Sequence, residues 1–453
     1  MDLSNNNVII IIVKRRGKMI LFRSVGRRHL NGYKELSKHS EIINLGSKSG
    51  SKVYFPTMAP NNTALKVLVQ PGDKVKVGQK IAERTDFYVP IYSPVSGTVL
   101  EQENVFSANV NRPIKHIVIE NDGLDTQADP LKTVTLDSSV EEIFNAIKEA
   151  GLVGLGGAGF PTYVKYNNPK GIHTLLVNGV ECEPFLTTDF VAMQNEVNSL
   201  LTGCELLLKA SGASKAIIAI KVHKDEVKNA INAKLSDHPN ISLKEVPDVY
   251  PMGWERTLIK EVFHKDYNRL PGEIGVVINN GQTVISLGKV LTTGHPICDR
   301  LITVSGDAIS NPTNVICKIG TMADELINAC GGLTFEDVNL IPGGPMCGRA
   351  VNTDKFPITM QMGSLTILKV KTYKEEPCLR CGSCTHHCPA GLQPVEIRRA
   401  LKAKDYERLI KLNVMSCVEC GMCSYSCPSR IELTEAMKNA KTVTKFKMSQ
   451  MKK

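Results

Sequence analysis

Eight of the fourteen cysteines in this 453-residue chain lie between Cys378 and Cys427, and they form a repeat. Cys378, Cys381, Cys384 and Cys388 have the spacing C-x2-C-x2-C-x3-C, with Pro389 next. Cys417, Cys420, Cys423 and Cys427 repeat it residue for residue, with Pro428 next. Three thiolates on a tight loop can hold three corners of a [4Fe–4S] cube, and where a domain carries two cubes the fourth, proline-stiffened cysteine ligates the other one. The spacing therefore assigns one cluster to Cys378, Cys381, Cys384 and Cys427, and a second to Cys417, Cys420, Cys423 and Cys388. Zinc usually takes two ligand pairs and does not need this rhythm. Disulfide frameworks belong to small secreted domains, which a chain of this length is not.

The length allows about three domains, and 42% hydrophobic with 22% charged residues is ordinary for a soluble globular protein. The apolar run Val8–Val13 is followed by Lys14, Arg15 and Arg16. It is far shorter than the roughly 20 residues that span a bilayer, and its charges lie on the wrong side for a signal peptide. A cytoplasmic location is expected, in keeping with reduced thiols. Basic residues behind the net charge of +10 concentrate in Lys14–Lys38 and Lys438–Lys453. The plain reading of these ends is a solvated tail; the functional one is an acidic partner or an anionic membrane surface. No nucleic-acid motif accompanies the charge, so no nucleic-acid partner is expected.

Residues 1–50 carry no informative pattern. From Val53 to Val118, short apolar stretches alternate with Pro71-Gly72 and Ser96-Gly97, as strands separated by tight turns require. The phrases Gly72–Gln79 and Ser93–Val99 resemble a biotinyl/lipoyl barrel-sandwich. Phe87 follows Thr85-Asp86 where a carrier would place its lysine, so a structural or docking module is expected. A helix is predicted from Val140 to Ala150, with Ser139 and Glu142 as a capping box, Val140, Ile143, Phe144 and Ile147 as its apolar face, and Gly151 as its stop.

Gly154, Gly156, Gly157 and Gly159 follow, with Lys165 behind them. Glycines let backbone N–H groups approach a phosphate, and a lysine can neutralise it. The motif alone is a weak signal, because no strand precedes it as a dinucleotide fingerprint requires. Thr174–Val177, Lys215–Lys221 and Ile241–Val246 read as strands, with a helix from Lys224 to Leu235. Alternating strands and helices imply a parallel sheet whose ligand sits at the strands' C-terminal ends, where Asn178, Glu181, Glu183 and Glu255 fall.

Gly154–Lys165 resembles the flavin-binding loop of the NADH-oxidising flavoprotein subunit of respiratory complex I. Asn178–Pro184, Tyr250–Glu255 and Asn279-Asn280 are similar to that family's further flavin-site segments. Leu301–Gly332 is similar to a soluble-ligand-binding β-grasp domain. The order barrel-sandwich, flavoprotein core, β-grasp and twin-cluster ferredoxin resembles the C subunit of Rnf complexes over about residues 53–435. Val180 stands where the complex I pattern has an acidic residue, and Trp254 replaces a second glutamate. The six remaining cysteines, Cys182 among them, are read as packing residues. His386 and His387 are read as groups that tune cluster potential from outside the ligand set.

The resemblance implies a multidomain α/β and α+β chain. Its expected parts are an N-terminal extension (1–50), a barrel-sandwich hybrid without a carrier lysine (51–135), and a Rossmann-like FMN/NADH-binding core (136–297). A β-grasp domain (298–366), an α-helical two-cluster ferredoxin domain (367–435) and a basic tail (436–453) follow. It implies FMN on the glycine loop with Lys165 supplying charge, and flavin contacts from Asn178, Tyr250, Gly253, Glu255, Asn279 and Asn280. Glu181 and Glu183 would lie beside the nicotinamide of NAD(H). It further implies an oxidoreductase subunit peripheral to the cytoplasmic face of a membrane, with other Rnf membrane subunits and a ferredoxin-type cluster subunit as partners. Ion translocation of Na+ or H+ would belong to those partners. Two other readings stay open on sequence: a soluble flavin/iron–sulfur reductase, and a cluster relay with a vestigial flavin site.

Overall fold

The computed structural model describes residues 28–48, 50–59 and 61–450. The run Val8–Val13 and the basic residues from Lys14 to Arg27 lie outside the described residues. The chain forms two compact units: residues 30–371, and a cysteine-rich unit from Thr372 onward that Arg28 and His29 join.

The larger unit begins with two small antiparallel sheets. One pairs Lys52–Pro56, Arg112–Asn121, Gly97–Ser107 and Lys74–Val75; the other pairs Leu65–Val67, Lys80–Arg84 and Val89–Tyr92. Their alternating apolar positions, among them Val53, Phe55, Ile81, Val99, Ile117 and Ile119, close one core. At the hairpin between Arg84 and Val89 the Asp86 carboxylate receives both Arg84 Nε (3.0 Å) and Nη2 (2.6 Å), so an internal ion pair occupies the tip.

A four-stranded sheet follows, in the order Ile241–Val246, Lys215–Lys221, Thr174–Asn178, Val276–Asn280, with every pair parallel. Both faces are buried, as parallel sheets require. Leu175, Val177, Ile218 and Ile220 face the helices Val140–Glu149, Val197–Ser211 and Gly281–Thr293, while Leu176, Ala219, Val276 and Ile278 face Met252, Leu258 and Ile259. The two longer helices touch backbone to backbone: a Cβ on Gly203 would stand 2.3 Å from the Val284 oxygen, and one on Gly288 would stand 2.1 Å from that of Ser199. The capping box of Ser139 and Glu142 forms. Ile143 and Ile147 are buried, but Val140 is 51% exposed, because at the first helical position it faces solvent.

A fourth, five-stranded sheet is ordered Ile43–Asn44, Thr313–Lys318, Asp299–Ser305, Ser364–Lys369, Val338–Pro342. Its centre is a parallel pair flanked by antiparallel partners. Three expectations are corrected here. The 1–50 segment, read as an extension separate from the domains, gives Ile43 and Asn44 to this sheet as a strand by parallel pairing with Val315 and Ile316. The boundary at 366 falls inside the strand Ser364–Lys369, whose Lys369 pairs with Val338. The basic end is no solvated tail: Leu433–Gln450 is a helix that buries Met437, Ala440 and Thr444.

The cysteine-rich unit packs that helix against Pro394–Lys402 and Tyr406–Lys411 around Leu392, Ile397, Leu409 and Val414. No helix among the described residues is long and apolar enough to cross a membrane.

Candidate functional site

The chain enters the parallel sheet at its centre. From Thr174–Asn178 it moves outward through Lys215–Lys221 to Ile241–Val246, then returns to the other side of the first strand as Val276–Asn280. That reversal is a topological switch point, and ligands of open α/β sheets bind in the crevice beyond the strand ends there. Asn178 and Asn280 pair in register at this point. The glycine loop lies over them: a Cβ on Gly156 would meet the Asn280 side chain at 3.2 Å, and Leu155 N–H donates to Thr283 Oγ1 at 3.0 Å. Gly156 and Gly157 form an exposed crest. Gly157 has φ +99° with open space before it, so its backbone faces outward in a conformation that L residues avoid.

Further residues converge on this edge. Asn178 Nδ2 donates to the Gly253 carbonyl at 2.7 Å while its Oδ1 accepts Val180 N–H at 3.2 Å. Lys165 donates to the Ile278 carbonyl at 2.6 Å; burial lowers its pKa, and nearby Glu255 acts the other way. Glu255 accepts Tyr267 Oη at 2.7 Å. Asn280 caps the helix Gly281–Thr293 through Oδ1 and donates Nδ2 to Asp189 at 2.8 Å. Asn279 is not brought to the crest. Alternation along the strand sends its side chain to the opposite face, where it is buried and donates to Tyr166 Oη.

The acidic loop forms a second cluster. Glu183 accepts the backbone N–H groups of Met346 (3.0 Å) and Cys347 (2.9 Å), while burial pushes its pKa up. Tyr250 is buried, with its hydroxyl 3.3 Å from Cys347 Sγ. Glu181 is buried; its Oε1 accepts Asp189 N–H at 2.6 Å, and its Oε2 lies 3.5 Å from Lys34 and 3.6 Å from Lys224. Sequence reasoning missed Lys34, Lys224, Asp189 and Arg300. Asp189 binds Asn280 and Gln282, and Gln282 accepts Arg300 at 3.0 Å, so the acidic loop and the strand end share one buried network. Only Asp189 had a readable signal, as an acid in the first turn of a helix two residues after Thr187.

In the cysteine-rich unit the sequence repeat recurs in the backbone. Arg380 and Glu419 adopt φ +55° and +57°, and Gly382 and Gly421 adopt +74° and +78°. These left-handed residues turn N–H groups toward sulfur: Arg380 N to Cys378 Sγ and Glu419 N to Cys417 Sγ are both 3.4 Å. One cavity is lined by Cys417, Cys420, Cys423 and Cys388. A second is lined by Cys378, Cys381, Cys384 and Cys427, with Cys388, His386 and His387 also on its wall. The ends of the two motifs are tied together by Ser383 Oγ donating to Ser426 O (3.0 Å) and Ser429 Oγ donating to Pro377 O (2.9 Å). Among the described residues no three or more His, Cys, Asp or Glu side chains converge on a single metal ion. The cysteines stand instead around the walls of two cavities, where four thiols and the N–H groups aimed at them fit a cluster. Burial pushes Cys420 up to about 12 and Cys423 to about 11, and ligation to iron would reverse this by holding the thiolate.

Four family models match the chain: an RnfC barrel-sandwich hybrid domain over residues 24–124, a Nuo51 FMN-binding domain over 147–289, an SLBB domain over 301–350 and a 4Fe-4S dicluster domain over 371–428. The chain is 34% identical over 354 residues to the C subunit of the proton-translocating ferredoxin:NAD(+) oxidoreductase complex of Clostridium ljungdahlii, covering 76% of this chain and 77% of that one. It is 34% identical over 358 residues to the C subunit of the Na(+)-translocating complex of Acetobacterium woodii, covering 77% and 81%. It is 32% identical over 403 residues to the C subunit of the ion-translocating oxidoreductase complex of Rhodobacter capsulatus, covering 86% and 77%. A chain of an NAD+-reducing [NiFe]-hydrogenase shares the fold, with TM-score 0.50 and 18% identity over 69% of this chain and 67% of that one. The class is thus a multidomain protein that joins an FMN-binding α/β domain and a barrel-sandwich hybrid to an SLBB domain and a dicluster iron–sulfur domain. Within that class, the chain belongs to the RnfC family, the C subunits of ion-translocating ferredoxin:NAD(+) oxidoreductase (Rnf) complexes.

Proposed function

We propose that this chain is the electron-transfer subunit of an Rnf-type complex, passing electrons between NAD(H), FMN and two [4Fe–4S] clusters. The observation that carries the reading is the glycine crest over the paired strand ends of Asn178 and Asn280, in a chain that also lines two cavities with the eight cysteines of the twin motif. FMN, when bound, supplies exchange of a two-electron hydride for single electrons, which cubane clusters can carry onward. The chain's own residues bind and orient. Gly154, Gly156, Gly157 and Gly159 hold the flavin phosphate, and Lys165 faces it with positive charge. Asn178, Asn280, Gly253 and Glu255 border the flavin, Tyr250 and Asn279 support that border from the core, and Glu181 and Glu183 face the nicotinamide. Cys378, Cys381, Cys384 and Cys427 hold one cluster; Cys417, Cys420, Cys423 and Cys388 hold the other.

In this reading the parallel-sheet domain is Rossmann-like, the five-stranded sheet is a β-grasp and the cysteine unit is a helical ferredoxin. The protein attaches peripherally at the cytoplasmic membrane face through other Rnf subunits, one of them a ferredoxin-type cluster subunit. Those partners carry the coupled movement of Na+ or H+. The test is anaerobic purification followed by addition of NADH. The expected result is one FMN and two clusters per chain, with both chromophores bleached. A protein with full clusters and no flavin, or a flavin that NADH leaves oxidised, would sink the reading. Lys165→Ala is expected to lose FMN on gel filtration while keeping its iron; equal flavin in variant and parent would remove Lys165 from that role.

A further inference from the structure

The segment ahead of the sandwich, which no sequence motif explained, converges on the acidic loop. Lys34 Nζ donates to the backbone oxygens of Glu183 (2.8 Å), Glu181 (3.2 Å) and Leu186, and lies 3.5 Å from Glu181 Oε2. Its neighbours grip the same loop. Gly32 O accepts Phe185 N–H at 2.7 Å, the Tyr33 ring stacks on Phe185 with centroids 4.7 Å apart, and Ser37 Oγ lies 2.9 Å from Thr187 Oγ1. Asn314 anchors the clamp from the five-stranded sheet by donating to Ser37 O at 2.9 Å.

The gripped loop holds two residues that disfavour their conformation. Glu181 at φ +43° and Phe185 at φ +69° are both left-handed, a region side chains with a Cβ avoid. Three backbone oxygens and a carboxylate gathered at one point form a place for a cation, and an ammonium with three donors can meet several of them at once. The charged or titratable groups facing Lys34 include Glu181, Cys182 and Glu183 on the loop, with Lys221 and Lys224 at and beyond the end of the neighbouring strand. Burial is the largest influence and pulls the ammonium down to about 8. A half-buried lysine with its ammonium on three backbone oxygens marks a constrained place in the fold.

We propose that Lys34 is a positioning residue for nicotinamide binding: held by the oxygens of Glu181, Glu183 and Leu186, it fixes residues 181–187 in the form that presents the two glutamates to NAD(H). The inference rests on the reading that those carboxylates face the nicotinamide. Without the ammonium, buried Glu181 keeps Lys224 as its remaining cation, three carbonyls lose a donor, and the left-handed residues are free to relax. Among the described residues, the Lys34 ammonium bonds to the acidic loop and not to the glycine crest, Asn178, Lys165 or Asn280. Its loss therefore separates nicotinamide binding from flavin retention.

The test compares the full-length chain, loaded with FMN and clusters, with its Lys34→Met variant, following NADH oxidation with ferricyanide as acceptor. The expected result is a KM for NADH raised about tenfold, with kcat within about twofold and parental flavin and iron. Amide exchange of residues 181–187 should quicken while the strand Thr174–Asn178 exchanges as in the parent. A parental KM would overturn the proposal. So would a fall in flavin content and kcat at constant KM, since that is the signature of a packing role alone. Should Lys34→Met not fold, Lys34→Arg carries the test. It keeps the charge opposite Glu181, but a planar guanidinium cannot point its donors at all three carbonyls. A raised KM and faster loop exchange are expected there too, and parental values of both would overturn the proposal. A parent that retains FMN but fails to oxidise NADH sinks the underlying reading and this inference together. An active parent whose variant keeps the parental KM sinks Lys34 alone.

Discussion

Gly157 and Asp189 show how single residues decide the glycine crest and the strand end beside it. At φ +99° Gly157 occupies backbone space that any Cβ makes unfavourable, although nothing stands within 4 Å of where that Cβ would go. Gly157→Ala therefore meets strain and not a clash, of about 1–2 kcal/mol, which the crest can relieve only by turning its exposed backbone. The expected outcome is weaker FMN retention with unchanged iron, measured by flavin and iron assays on one preparation. Asp189 is a buried carboxyl pushed up to about 6, chiefly by burial and then by Glu181, with Gln282, Lys224 and Asn280 acting against them. Because its folded value lies above its ordinary 3.8, the folded state takes up the proton first as pH falls. Its contribution to stability is complete below about pH 4 and is lost as pH rises through about 6. Measured against Asp189→Asn, the parent should gain on the order of 2–3 kcal/mol on going from pH 7 to pH 4. Urea unfolding followed through Trp254, the chain's one tryptophan, isolates the larger unit; a difference that stays flat with pH would refute the assignment. The glycines were legible in sequence because they announce a backbone conformation. Lys34 was not, and Asp189 only as an acid in the first turn of a helix, because their meaning lies in partners 147 and 91 residues away, Glu181 and Asn280.

At the level of elements, legibility followed periodicity. The strand Lys215–Lys221 reads directly as an apolar run between lysines, and Ser139 with Glu142 announces its helix. The helix Leu433–Gln450 did not read, because its lysines hide an apolar stripe of Met437, Ala440 and Val443 that has meaning only against the helices Pro394–Lys402 and Tyr406–Lys411. This helix also braces the second cysteine loop: Lys441 Nζ donates to Cys417 O at 2.9 Å and to Glu419 Oε1 at 2.5 Å, and Met437 lines the cavity of Cys417, Cys420 and Cys423. Met437→Ala should destabilise the cysteine-rich unit by about 2–5 kcal/mol. It should also quicken loss of iron to a chelator under anaerobic conditions, with the cluster in that cavity released first. Release of both clusters at equal rates would show that the helix braces the unit as a whole and not that loop.

For the whole molecule, the twin motif makes a demand that neither half meets alone. The fourth cysteine of each motif lies on the wall of the cavity built by the other: Cys388 with Cys417, Cys420 and Cys423, and Cys427 with Cys378, Cys381 and Cys384. Two independent loops could each wrap their own four thiols; here the seams from Ser383 to Ser426 and from Ser429 to Pro377 bind the start of one motif to the end of the other. Cys388 borders both cavities, so geometry alone leaves it two choices, and replacement decides between them. If ligation crosses, Cys388→Ser removes a ligand from the cluster of the second motif, and Cys427→Ser from that of the first. Each variant should then keep about half the parental iron and the same flavin, since the parallel-sheet core that carries the glycine crest is built without residues of the cysteine unit. Pairing each change with a second at Cys420 or Cys381 separates the patterns. Cys388→Ser with Cys420→Ser should lose no more iron than either alone, whereas Cys388→Ser with Cys381→Ser should lose nearly all of it. The reverse outcome would mean that each motif closes on its own cluster, and that Cys388 reaches the second cavity only as part of its wall.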